Sequence, residues 1–213
     1  MENEVLSALY NLSCDVRGQI LKEVESIDSD FGKIEYICKK FLKEYTFDYS
    51  VLQPEDEQHH TRKPEEREFC YKGKKYSCQT VGECMSDGTY KTKINPGVHG
   101  LKMGTCASFS AELMWFAEAL KIKGIHFWAQ PICYDALYKK DSGLRPMVHY
   151  YVVLELDGEE YKIDVAGAIM AMDYKKKNPK SNIRPQDFIF VDPNAGNPFD
   201  KEFKELKGEP GVE

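Results

Sequence analysis

Three side chains in the second half of the sequence have the types needed for a nucleophile and its base: Cys106, His149 and Asp164. A cysteine attacks carbonyl groups as its thiolate, and the thiol ionises near neutrality when a helix N-terminus or an imidazolium lies beside it. Cys106 stands two residues after Gly104 and opens a run in which Cys106, Phe109, Leu113, Phe116, Ala117 and Leu120 share one helical face. At such a helix start the dipole and the free N–H groups favour an anion, and the Cys106 amide is itself a candidate oxyanion donor. A carboxylate bonded to one nitrogen of His149 would fix its tautomer and favour its protonated form. Taken singly, each residue has an ordinary structural reading: a core cysteine, a structural histidine, a sheet-edge carboxylate. Taken together, they predict a thiolate–imidazolium pair oriented by Asp164 and working by acyl transfer.

The elements that must position these groups can be read from pattern. Val148–Leu156 and Glu159–Ala166 read as two strands joined by Asp157-Gly158, a two-residue hairpin signal. With Leu156 opposite Glu159, the register sets Tyr151 opposite Asp164 and His149 opposite Ala166. Alternation then points all four to one face, with Asp164 the diagonal neighbour of His149 at roughly 7–8 Å between backbones. Val148, Tyr150, Val152, Leu154, Tyr161, Ile163 and Val165 form the other face, which reads as core. Upstream, Gly124 ends the Cys106 helix and a strand follows over Ile125–Cys133, then a polar loop to Pro146.

Nearer the N-terminus, Val5, Leu9, Leu12, Val16, Ile20 and Val24 make one stripe of a helix from Glu4 to about Ser26. A second helix is expected after Asp30, through Ile34, Ile37, Cys38, Phe41 and Leu42 to about Tyr45, with Asp28, Ser29 and Asp30 as candidate caps. Residues 50–104 are the least regular, with an exposed loop around His59 and His60, a hairpin turning at Gly73, and turns at Asn95-Pro96-Gly97 and Gly100. Phe188–Val191 reads as a short strand. The organisation expected is a single domain: an N-terminal helical part (1–50), a loop-rich insertion (51–104), a catalytic core (105–195) and a frayed tail (196–213).

With 213 residues and a net charge of −6, the chain has no basic stripe interleaved with aromatics, which argues against nucleic acid as a partner. Lys175-Lys176-Lys177 reads as a solvated loop. No apolar run approaches the roughly 20 residues that span a bilayer. The first twenty residues carry Glu2, Glu4, Asp15 and Arg17 and lack the apolar stretch of a signal peptide, so a cytoplasmic location is expected. The seven cysteines include no C-x-x-C pair. Zinc at Cys70, Cys78, Cys84 and His59 or His60 fits no usual ligand spacing. A Cys70–Cys78 disulfide is open to a hairpin turning at Gly73, but reduced thiols are the expectation for a cytosolic chain. The chemistry calls for no metal and no organic cofactor.

From Met103 to Ala166 the sequence resembles the transglutaminase-like superfamily. The resemblance rests on Met103-Gly104-Thr105-Cys106, the helix through Ala111, Leu113 and Leu120, Gly124-Ile125, and then His149 and Asp164 on successive strands in that order. Phe41–Tyr49 is similar to the family's helix running into an extended stretch. The resemblance implies an α+β fold with a central helix, carrying the nucleophile, packed on an antiparallel sheet. It implies Cys106 as nucleophile, His149 as general acid and base, Asp164 as its orienting partner, and a protein or peptide substrate. It also implies an upstream oxyanion donor, for which Tyr71, Gln79 and Tyr90 are candidates. Here Tyr151 stands where many members have tryptophan, and His126-Phe127-Trp128 follows Gly124-Ile125. Arylamine N-acetyltransferases share the Cys, His, Asp order, and Asp157–Val165 looks like their second strand, but Lys102-Met103-Gly104 replaces their approach to the cysteine. A non-catalytic binding module on the same fold is the remaining alternative.

Overall fold

The computed structural model describes residues 2–48, 66–79, 83–84, 90–91, 97–132 and 147–199. Its helices are α1 (Glu2–Val24), α2 (Asp30–Glu44), α3 (Gly97–Leu101), α4 (Cys106–Ala119) and α5 (Val165–Lys177). Its strands are β1 (Thr46–Phe47), β2 (Glu66–Tyr71), β3 (Lys74–Gln79), β4 (Glu83–Cys84), β5 (Tyr90–Lys91), β6 (Met103–Gly104), β7 (Ile125–Ile132), β8 (Met147–Leu156), β9 (Glu159–Ile163) and β10 (Ile189–Val191). The fold is α+β, with N-terminal helices and a four-stranded antiparallel sheet. The chain divides into two compact units, Met1–Ser26 with Thr46–Thr105, and Ile27–Tyr45 with Cys106–Glu213.

In the first unit α1 buries part of its apolar stripe against the β2–β3 hairpin. Ala8 and Leu9 cluster with Phe69 and Cys78, and Val5, Leu12, Tyr71, Tyr76 and Leu101 pack around them. The hairpin turns at Lys72-Gly73 with φ of 47° and 77°, as the glycine there demands. Cys70 lies opposite Lys75 and Cys78 opposite Arg67, so the two cysteines do not face each other and both thiols are free. Strand β1 pairs in parallel with β6, Thr46 beside Met103 and Phe47 beside Gly104. His59, His60 and the side chain of Cys84 lie outside the described residues, as do the turns expected at 95 and 96.

The second unit holds the sheet, in the order β10-β9-β8-β7. Of the three candidate caps for α2, Ser29 fills the role, its Oγ accepting from the Gly32 N–H at 3.0 Å. Ile34, Ile37, Cys38 and Phe41 of α2 are buried, and the Phe41 ring lies 5.8 Å from that of Phe109 and 6.3 Å from that of Phe116, both on α4. Helix α4 packs on β7 and β8 through the face predicted for it, with Phe109, Leu113, Phe116 and Ala117 buried. Val152, Leu154 and Ile163 are fully buried, and so nearly are Tyr151 and Val153, so β8 is covered on both faces rather than on one.

The β8–β9 hairpin keeps the expected register as far as Ile163: Leu156 opposite Glu159, Leu154 opposite Tyr161, Val152 opposite Ile163. Asp157 and Gly158 take φ of 54° and 82°, the left-handed pair of a type I′ turn. Beyond Ile163 the structure departs from the expectation of a strand to Ala166. The chain turns at Asp164 into α5, so Asp164 is not paired with Tyr151 nor Ala166 with His149. Val165 to Ala171 are all buried, and such an unbroken apolar run has no periodicity to separate a strand from a buried helix. Lys175-Lys176-Lys177, expected as a loop, form the last turn of α5; they are exposed, and their charges suit the negative end of the helix dipole. A 3-10 turn at Pro185–Phe188 leads into β10, which closes the sheet edge beside β9. The segment expected to fray from Gly196 is packed as far as Phe199, whose buried ring lies 5.4 Å from that of Phe188 and 5.8 Å from that of Tyr174.

Candidate active site

Cys106, His149 and Asp164 all belong to the second unit, and its elements bring them together. Cys106 is the first residue of α4, partly buried, with a free thiol hydrogen-bonded to the His149 ring. His149 lies on β8, its side chain pointing to the face of Tyr151, and is 7% exposed. Asp164 caps α5 and is 3% exposed. His149 Nε2 lies 2.6 Å from Asp164 Oδ2, which leaves Nδ1 for the sulfur. The expected side-chain bond between His149 and Asp164 is therefore present, although the route to it is not. A helix start, not a strand partner, carries the carboxylate.

That difference fixes Asp164 more firmly than a strand would. Its Oδ1 accepts from the Gly167 N–H at 2.8 Å, and its own N–H donates to the Phe188 carbonyl at 2.8 Å. A Cβ on Gly167 would come within 2.6 Å of Asp164 Oδ2 and 2.5 Å of the Phe188 ring, so only glycine lets α5 approach its own cap this closely.

The electrostatics follow from this geometry. Burial works against the charge on His149, but the Asp164 carboxylate and the bonds to Asp164 and Cys106 outweigh it and push the imidazole up to about 10. Burial also opposes ionisation of Cys106. The bond to His149 and its charge, with the Tyr150 N–H donating to the sulfur, bring the thiol below its ordinary value. Asp164 is held low in the same way: burial is overcome by His149, by the Gly167 N–H and by the charge of Lys162. Two of the other free thiols contrast with this. Burial pushes Cys38 and Cys78 up.

Of the upstream oxyanion candidates, Tyr71 alone has a described side chain. The Tyr71 hydroxyl, in the first unit, donates to Asp15 at 2.9 Å. Gln79 and Tyr90 end β3 and begin β5, and their side chains lie outside the described residues. Sequence reasoning missed the backbone donors of Tyr150 and Gly167. The Asp-x-x-Gly spacing of Asp164 and Gly167, followed by the alanine-rich Ala166–Ala171, was the signal for a capped helix. It also missed Lys162, which the hairpin register sets opposite Val153 and so on the His149 face.

A scan against protein-family models and a search of curated proteins each find no match for this chain. No helix among the described residues is long and apolar enough to cross a membrane, and no described cluster of His, Cys, Asp and Glu could hold a metal ion.

Proposed function

We propose that this chain is a cysteine-dependent acyl-transfer enzyme acting on glutamine carboxamides or peptide bonds through a thioester at Cys106. One observation carries the reading: a helix-start thiol bonded to a buried histidine whose far nitrogen is held 2.6 Å from a carboxylate. The Cys106 thiolate attacks the carbonyl carbon, forming a C–S bond as the carbonyl π pair moves onto oxygen. The Cys106 amide, free of an intrahelical partner at the first helical position, is suited to receive that oxyanion. When the oxygen pair returns, the C–N bond breaks and His149 gives its proton to the departing nitrogen. A water or an amine then attacks the thioester and loses its proton to His149. The C–S bond breaks, and the thiolate and imidazolium are restored. Asp164 stays ionised throughout and holds the imidazole in one tautomer and orientation.

The test is intact-protein mass spectrometry after exposure to glutamine peptides, to general peptides and to arylamine acetyl donors. The expected result is an acyl adduct at Cys106 with glutamine peptides or general peptides, absent in Cys106→Ala. An acetyl adduct alone would move the chemistry to N-acetyl transfer. No adduct, together with Cys106 labelling no faster than Cys14 or Cys38, would remove the enzyme reading in favour of a binding module.

A further inference from the structure

Lys162 is a charged side chain at a sheet position suited to an apolar one. It lies on β9 between Val153 of β8 and Val191 of β10, and is 7% exposed. A buried ammonium is unfavourable unless opposing charge or polar contact compensates it. Two features do so here. The Nζ of Lys162 lies 4.4 Å from the centroid of the Tyr151 ring, against the negative face of its π system. Asp164, two residues along the chain, feels the ammonium's charge. The Tyr151 ring is in turn 6.3 Å from that of His149, so Tyr151 has both the ammonium and the imidazole as neighbours. Strand alternation sets Lys162, Val153, Tyr151 and His149 on one face.

We propose that Lys162 is a positioning residue of the Cys106–His149–Asp164 unit, its ammonium seated on Tyr151 beside the His149 ring and offsetting the negative charge of the unit. It rests on the reading of Cys106 as an ionised nucleophile. Among the described residues, the titratable groups facing the His149–Asp164 pair are Cys106 from α4, Tyr151 from β8 and Lys162 from β9. Helix α5 adds only the Gly167 N–H, and the turn before β10 only the Phe188 carbonyl, neither of which titrates. Lys162 is thus the one further cation in that set. Without its charge the buried cluster loses a cation, so the thiolate, which adds a negative charge to that cluster, forms at higher pH.

The experiment measures the rate of iodoacetamide alkylation at Cys106 against pH, by peptide mass spectrometry, on the full chain. In Lys162→Met the acid limb of the profile should move up by about one pH unit. Lys162→Arg, which keeps the charge and also seats on aromatic faces, should return the limb to the wild-type position. Circular dichroism checks that each variant folds, and Lys162→Gln replaces the methionine variant if that one does not. A folded neutral variant with the wild-type limb overturns the role of Lys162 while leaving the nucleophile intact. So does an arginine variant displaced as far as the methionine one. Failure of both neutral variants to fold also overturns it, since the ammonium would then serve the fold. A wild-type Cys106 that alkylates no faster than Cys14 at neutral pH overturns the nucleophile reading itself.

Discussion

The two oxygens of Asp164 perform unlike tasks, Oδ1 capping α5 at the Gly167 N–H and Oδ2 holding His149. Asparagine caps a helix about as well as aspartate, so Asp164→Asn separates them. Such a variant should keep α5 by circular dichroism, yet its imidazole should fall from about 10 towards the ordinary value of roughly 6.5. In the intact protein, alkylation of Cys106 should rise with pH below the ordinary thiol range and change again near pH 10 as His149 loses its proton. In Asp164→Asn that upper change should drop by several units, measurable by the same alkylation or by NMR titration of the imidazole. The pair also makes stability pH-dependent. A raised histidine contributes fully below about pH 6.5 and is lost as pH rises through about 10. A lowered carboxylate contributes fully above about pH 3.9 and is lost as pH falls through its depressed value. The urea midpoint should therefore hold a plateau between those limits and decline on both sides, and His149→Ala should flatten the alkaline decline.

At the scale of elements, the sequence carried the β8–β9 hairpin because its register is set locally, by a two-residue turn and a period of two. The same pattern misled one step further on. Tyr161-Lys162-Ile163-Asp164-Val165 alternates like a strand, while the signal for α5 lay in a cap and a run of small residues with no amphipathic stripe. Buried on every side along its first two turns, α5 has no solvent face there to give a period. The candidate site survived because Asp164 reaches His149 from a helix start as well as it would from a strand. Gly167 is the residue that makes this route possible. Gly167→Ala should force Asp164 and Phe188 apart, at a cost of about 1–3 kcal/mol by urea denaturation. It should also slow Cys106 alkylation at neutral pH more than tenfold, as the imidazole loses its partner. A variant as reactive as the parent would show that the carboxylate can shift without loss.

At the scale of the whole molecule, what the sequence could not reveal is the partition into two units, because it depends on contacts between distant segments. Read linearly, 1–50 is a helical region; in the structure α1 belongs to one unit and α2 to the other. The unit that carries the candidate site is therefore not contiguous, and a fragment of residues 106–199 omits α2. That fragment would expose the surface on which Phe41 packs, and it should give neither dispersed NMR signals nor a cooperative melt. Within the full chain, Phe41→Ala should cost about 3–5 kcal/mol, since Phe41 is fully buried against Phe109 and Phe116. A fragment that folds by itself would assign α2 to the periphery.

Interleaving also dictates an order of events on the ribosome. Helix α2 emerges early, with Ile34, Ile37 and Phe41 on an apolar stripe, but its partner α4 is complete only after synthesis has run on through Ala119. At roughly 5–20 residues per second that is a wait of several seconds, with α5 and the last sheet strand later still. The nascent chain must keep that stripe from premature association throughout, which makes α2 the segment where a holding chaperone would be expected to bind during synthesis.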